Sequence, residues 1–251
     1  MKIAAIYDIH ANLHALQAVL KEIEAIEVDL IFVGGDVVTG PLPRQTLDLL
    51  QSLNTPTEFI LGNAESEVLR HLRGEAIGGL SERANEEARW SSRQLTKAQQ
   101  EFIASWPATA EFELEGLGKV LFCHGTPRSD IEVFTKETPP DKLRQMFKEV
   151  DNQVVICGHT HMQFDIEIDG ACIVNAGSVG MPFGKTGADW MLMDGAINFM
   201  HTHYDLEEAA SLIRASDYPY AASFAANNVL NSPSEADALK MLAKLEALQS
   251  T

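Results

Sequence analysis

Short apolar runs alternate with amphipathic stretches at the start of the chain. The run over residues 2–7 is followed by a polar loop, after which Leu13, Leu16, Val19, Leu20 and Ile23 recur at three- and four-residue spacing. That is the period of a helix with one buried face, so the pattern predicts strand, loop, helix. A second apolar run over 30–33 ends in Gly34-Gly35-Asp36, and a third over 58–61 ends in Gly62-Asn63. Leu47, Leu49, Leu50 and Leu53 place a helix between them. Strands alternating with helices predict a largely parallel sheet.

From about 66 to 106 the sequence turns polar and helical, with a Thr96-x-x-Gln99 capping box before a helix that Pro107 stops. This stretch is expected to be a helical insertion. Strand-like runs resume at 111–114, 119–123, 154–157, 165–168, 171–174 and 190–193, with hairpin-type turns at Glu115-Gly116 and Asp169-Gly170. Helices return over about 205–251, one starting near Asp205 and one announced by Ser232-Pro233-Ser234-Glu235. There Ser232 suits the N-cap, Pro233 the first helical position, and Glu235 completes the box. No repeat or low-complexity tract interrupts the chain.

Composition narrows the function classes. At 251 residues the chain fits one α/β domain, expected to span 1–251, and 45% hydrophobic with 22% charged residues supplies an ordinary core. The net charge of -17 disfavours polymeric nucleic acid and anionic membranes as partners, although a small phosphorylated ligand beside bound cations is compatible with it. Three cysteines, Cys123, Cys157 and Cys172, without C-x-x-C spacing, argue against a disulfide framework and a cysteine-rich zinc module. The first apolar run is too short for a signal segment, and no stretch approaches roughly 18 apolar residues. A cytoplasmic protein without a membrane anchor is expected, and its oligomeric state carries no sequence signal.

The candidate chemistry sits at strand ends. Asp8-Ile9-His10 follows the first run, and in extended backbone residues i and i+2 point to one side, where they can share a cation. Asp36 follows Gly34-Gly35 and Asn63 follows Gly62, at the carboxyl ends of parallel strands where open α/β sheets place ligands. The glycines let backbone approach closely at a crowded centre. Cys123-His124-Gly125 and Gly158-His159-Thr160-His161 repeat the arrangement, the second with two imidazoles at i and i+2. Each motif alone suits an ordinary turn, but four histidines, two aspartates and an asparagine at strand ends, most of them near glycine, point to metal. Cys123 directly precedes His124, and Cys157 precedes His159 by two; both are expected to be packing residues of the core.

In order and spacing these residues resemble the calcineurin-like metallophosphoesterase family, whose motifs D-x-H, G-D, G-N-H-D/E, G-H and G-H-x-H run from Asp8 to His161. The segment Asn175-Ala176-Gly177-Ser178-Val179-Gly180 resembles the N-P-G-S-V of its small bacterial phosphodiesterase branch. The resemblance implies an α/β fold, a β-sandwich of two mixed sheets flanked by helices. It implies one metal on Asp8, His10, Asp36 and His161 and a second on Asp36, Asn63, His124 and His159, with Asp36 bridging. The nitrogen and oxygen donors suit Mn, Fe or Zn, with manganese favoured.

The activity implied is hydrolysis of a phosphodiester or phosphoanhydride bond in a small molecule such as a nucleotide, by a hydroxide held between cations ~3.5–4 Å apart. Alternatives are a phosphomonoesterase or a dinucleoside-polyphosphate hydrolase. From another class comes a metal-binding protein-interaction scaffold, since the family includes a coat subunit that uses the fold for protein contacts. Against it, buried Asp8 and Asp36 would be costly without cations.

One position departs from the family pattern. Many members carry a histidine after the asparagine, whereas this chain reads Gly62-Asn63-Ala64-Glu65. A general acid contributes ~10²–10⁴-fold, so its loss penalises poor alkoxide leaving groups more than phenolates or phosphoanhydrides. His14, one helical turn past His10, is a weak substitute acid, and Glu65 a candidate for orienting a ligand imidazole. Asn12, the Gly177-Ser178 backbone and Arg128 are candidate donors to phosphate oxygens.

Overall fold

A computed structural model describes residues 1–75, 81–148 and 150–249. β1 (Ile3–Ile6), β2 (Leu30–Val33) and β3 (Thr57–Phe59) run parallel, connected through α1 (Leu13–Ile26) and α2 (Pro43–Gln51). Then come α3 (Asn63–Arg73), α4 (Glu82–Gln94) and α5 (Lys97–Ala104), followed by β4 (Ala110–Leu114), β5 (Gly118–Phe122), α6 (Pro140–Met146) and β6 (Val154–Cys157). β7 (Gln163–Ile168), β8 (Ala171–Ala176), β9 (Ala188–Met193) and β10 (Ile197–Thr202) complete the strands. The chain ends with α7 (Leu206–Arg214), α8 (Ala221–Phe224), a π-helical turn (Ala225–Val229) and α9 (Glu235–Gln249).

The strands form two five-stranded sheets in the orders β10-β9-β1-β2-β3 and β4-β5-β6-β8-β7. Both are mixed, as the resemblance implied, rather than largely parallel as the alternation alone suggested. β9 pairs antiparallel with β1, and β4 and β7 run antiparallel to their neighbours.

Strand alternation assigns the layers. Ile3, Ala5 and Tyr7 face the second sheet and pack with Phe32 against Phe122, Ile156 and Val174. The Phe32 and Phe122 rings lie 4.0 Å apart between centroids, with Phe112 edge-on to both. Burying side chains of this size contributes about 1.5–3 kcal/mol each. The alternate residues Ala4 and Ile6 face outward beneath Leu16, Val19 and Leu20 of α1. Val68, Ala88 and Ile103 of α3 to α5 join that same outer core, so the predicted helical insertion shares its packing with α1 and α2. Residues 76–80 of the insertion, and residues 250–251 of the predicted C-terminal helices, lie outside the described residues. Cys123 and Cys157 pack on the far face of the second sheet with α9, where burial pushes both thiols up.

Local signals place helix ends well, with one shift. Thr96 and Gln99 make the reciprocal capping box, and Asp205 caps α7 by accepting from Glu208 N. At the last helix the cap is Ser234, whose Oγ accepts from Asp237 N, while Ser232 instead donates to Pro182 O. β10 and α6 have no counterpart among the predicted elements. β10 is an edge strand whose mixed exposure blurs the period of two, and α6 is too short for a helical period to show. Among the described residues no helix is long and apolar enough to cross a membrane.

Candidate metal centre

The loops that leave β1, β2, β3, β5 and β6 at their carboxyl ends meet at one edge of the sandwich. Pairing continues beyond the strands: His10 N donates to Asp36 O (2.8 Å), Ala11 N to Val37 O (2.8 Å) and Gly158 N to His124 O (2.8 Å). Asp8, His10, Ala11, Asp36, His159 and His161 all have positive φ, between 47° and 67°, and account for six of the eight such non-glycine residues described. Left-handed backbone costs ordinary residues of order 1–3 kcal/mol each and concentrates where function requires it. The i and i+2 pairs therefore converge through left-handed turns, not through the extended-strand parity expected from the sequence.

Hydrogen bonding at the outer ring nitrogens decides what these imidazoles present inward. His10 Nδ1 faces Thr39 O (3.3 Å), His124 Nδ1 faces Gly34 O (2.9 Å) and His161 Nδ1 faces Met181 O (3.0 Å). A carbonyl can only accept, so each Nδ1 carries the proton and each Nε2 presents a lone pair. The Nε2 atoms of His10 and His161 then face each other at 3.1 Å. Asp8 Oδ1 lies 3.4 Å from His161 Nε2, 4.0 Å from His10 Nε2 and 3.9 Å from His124 Nε2. It is buried, and among the described residues it has no hydrogen-bond partner.

Asp36 divides its oxygens, Oδ2 standing 3.7 Å from His10 Nε2 and Oδ1 3.4 Å from His124 Nε2. Asn63 Oδ1 is 3.1 Å from His124 Nε2. Apart from the Ala64 N–H that donates to Asp36 Oδ1 (2.8 Å), the facing atoms are acceptors, an arrangement that a cation relieves. The residues present therefore fit divalent metal, with Asp8-His10-His161 and Asp8-Asp36-His124 as the tight groups. His159 stands beside them, its ring 5.2 Å from that of His124 and its backbone N–H donating to Asp8 Oδ2 (2.8 Å).

Electrostatics in the metal-free chain differ from group to group. Burial would raise the Asp8 carboxyl, but His161, His124 and His10 outweigh it and hold it well below the usual range. Burial lowers His10, and burial together with His124 brings His159 down to about 4, leaving both neutral and ready to ligate at pH 7. For His124 burial is outweighed by Asp36 and Asp8, and its pKa rises.

Glu65 has a different part from the one expected. It orients no imidazole. Its Oε1 accepts from Val37 N (2.8 Å) and Val38 N (3.1 Å), and its Oε2 from Asp36 N (2.8 Å) and Gly62 N (3.0 Å), so one buried carboxylate clamps the two loops that carry Asp36 and Asn63. Burial and the neighbouring Asp36 push its carboxyl up to about 7, against the pull of the backbone donors.

Gly62 lets those loops touch. A Cβ there would lie 2.3 Å from Asp36 Oδ1 and 2.4 Å from Asp36 N. Gly62→Ala is expected to cost about 2–3 kcal/mol in urea unfolding and to lower metal content. A variant as stable and as metal-rich as the parent would show that the close approach is unimportant.

Of the candidate phosphate donors, Asn12, the Gly177 N–H and Arg128 are engaged elsewhere. Asn12 caps α1 through Ala15 N and donates to Gly180 O (3.0 Å) and Tyr204 Oη (3.3 Å). Ser178 donates to Asp8 O (2.8 Å) and accepts from Met181 N, and Gly177 N donates to Asn175 Oδ1, so this segment braces the ligand loops from behind. Arg128 is paired with Glu132, donates to Gln145 O, and lines a separate hollow with Pro127 and Lys148. His14 sits half-buried on the first turn of α1, outside the cleft lining, and burial lowers its pKa.

The cleft over the centre has a volume of about 340 Å³, and His10, Asp36, Asn63 and Ala64 form its floor. Its other walls come from residues that sequence reasoning did not single out: Glu67 of α3, Arg83 of α4, and Tyr218, Ser223 and Asn228 near the C-terminus. No motif marks them, because their only link to the ligands is spatial.

Comparison with known proteins follows the same lines. A model of the calcineurin-like phosphoesterase superfamily domain matches residues 1–196. The uncharacterized protein MJ0912 of Methanocaldococcus jannaschii is 27% identical over 237 residues, covering 86% of this chain and 93% of that protein. A metallophosphoesterase from Sphaerobacter thermophilus superposes with a TM-score of 0.72 at 25% identity, covering 91% of this chain and 99% of the other. The hypothetical protein PH1004 from Pyrococcus horikoshii OT3 shares the fold with a TM-score of 0.77 at 16% identity, covering 89% and 97% of the two chains.

Proposed function

The chain belongs to the calcineurin-like phosphoesterase superfamily, and from that premise we propose that it is a phosphodiesterase for small phosphorylated molecules with good leaving groups. Asp8, His10, Asp36, Asn63, His124, His159 and His161 would hold two divalent cations, with manganese the first to test. The observation that carries this reading is the cluster of facing acceptors around the unpartnered Asp8 Oδ1. The split of the Asp36 oxygens between His10 and His124 supports a bridging carboxylate.

Bound cations would supply an activated water and neutralise charge on the phosphoryl group. The protein's part is positional. Glu65 fixes the Asp36 and Asn63 loops, the three Nδ1 bonds fix the imidazole tautomers, and the cleft of about 340 Å³ offers room for a small phosphorylated molecule.

Ala64 sets the leaving-group preference. It lines the cleft, its N–H donates to Asp36 Oδ1 (2.8 Å), and its methyl group has no proton to deliver. With Mn²⁺, an aryl phosphodiester should be turned over far better than an alkyl one. Ala64→His should raise kcat/KM for the alkyl ester by about 10–100-fold and leave the aryl ester within about threefold. An unchanged ratio in the metal-loaded variant would remove the leaving-group argument. A panel that adds monoesters and dinucleoside polyphosphates separates the neighbouring hydrolase activities, and no turnover of any ester would favour a scaffold.

A further inference from the structure

The family match ends at residue 196, yet Tyr218, Ser223, Phe224, Asn227 and Asn228 line the same cleft as His10 and Asp36. The wall they form is tied to the insertion. Trp90 of α4 packs edge-on to Tyr218 with centroids 5.2 Å apart, the Arg83 guanidinium lies 4.5 Å over the Tyr220 ring, and Tyr220 Oη bonds to Glu86. Both asparagines sit in the π-helical turn Ala225–Val229, closed by Leu230 N donating to Ala225 O (3.0 Å). Such turns are rare and recur at functional sites. Asn227 donates to Ser223 Oγ (3.3 Å), whereas the Asn228 carboxamide makes no hydrogen bond among the described residues.

Among the described residues this wall offers no unpaired positive charge. Its guanidinium, Arg83, is paired with Glu87 at 2.8 Å, and Glu67 adds a further acid to the lining. A second phosphate would meet little free positive charge. Carboxamides and a hydroxyl beside aromatic rings suit instead the hydrogen-bonding edge of a base and the hydroxyls of a sugar.

We propose that the segment from Tyr218 to Asn228 is a nucleoside-binding wall, so that the substrate is an ester of a single nucleotide rather than a dinucleoside polyphosphate. The proposal rests on the phosphodiesterase reading, and two esters with one leaving group test it. The Mn²⁺-loaded full chain is assayed with the p-nitrophenyl ester of thymidine 5'-monophosphate and with bis(p-nitrophenyl) phosphate. The parent should prefer the nucleotide ester. Asn228→Ala and the double variant with Asn227→Ala should lower kcat/KM for that ester by at least about tenfold while keeping the bis-aryl ester within about twofold. Retained bis-aryl turnover shows that the variants are folded. Equal losses on both esters, or none on either, overturn the nucleoside wall and leave the phosphodiesterase reading standing. Turnover of neither ester by the parent removes both.

Discussion

Asp36→Asn is expected to lower metal-dependent turnover by about a thousandfold, equivalent to roughly 4 kcal/mol of transition-state stabilisation, and to reduce bound metal below two ions per chain. The carboxylate places Oδ1 3.4 Å from His124 Nε2 and Oδ2 3.7 Å from His10 Nε2. An amide keeps one oxygen to accept from Ala64 N but turns an NH₂ toward one imidazole and removes a charge. In the metal-free protein the same change relieves repulsion with buried Asp8, so thermal stability without metal should hold or rise. Loss of metal without loss of fold is therefore the signature. Metal analysis and an aryl diester assay on one preparation decide it, and a variant with full metal and full activity would place the centre elsewhere.

Glu65→Ala carries the largest expected effect on stability. Removing the carboxylate leaves four buried N–H groups, those of Asp36, Val37, Val38 and Gly62, without their acceptor. Each such loss costs about 1–3 kcal/mol and the losses are not additive, so a total of about 4 kcal/mol or more is expected. Glu65→Gln retains one accepting oxygen but aims an amide donor at two of the N–H groups, and should fall about midway. Urea unfolding at pH 8, above the pKa of about 7, measures both variants against an ionised parent carboxylate. If both unfold within about 1 kcal/mol of the parent, the two-loop clamp is not what holds Asp36 in place.

Much of the architecture was legible because its signals are local. The period of three to four in α1, the Thr96 box and the Asp205 cap act over a few residues, and each lies near its predicted position. Strand runs ending in glycine and a metal-competent residue were legible for the same reason. Parity was not: the D-x-H pattern predicts extended backbone at Asp8 and His10, whereas there, as at His159 and His161, the chain turns left-handed. Aspartate tolerates that region better than most residues, but nothing in a D-x-H or H-x-H pattern announces it.

Glu65 and Arg128 show the other limit. Their types invite a role beside a ligand imidazole and at a phosphate, respectively, yet each is committed to partners that only the fold supplies. By itself the sequence determined the order of the strands and helices other than β10 and α6, the chemistry available at each strand end, and the family. The tertiary structure alone decided which lone pairs face one another, as with His10 and His161, 151 positions apart and 3.1 Å between Nε2 atoms. It also decided that the turn Ala225–Val229 lines the cleft. The reason is physical: residue type and period act along the chain, whereas desolvation, hydrogen-bond partners and charge proximity exist only once distant segments are packed together.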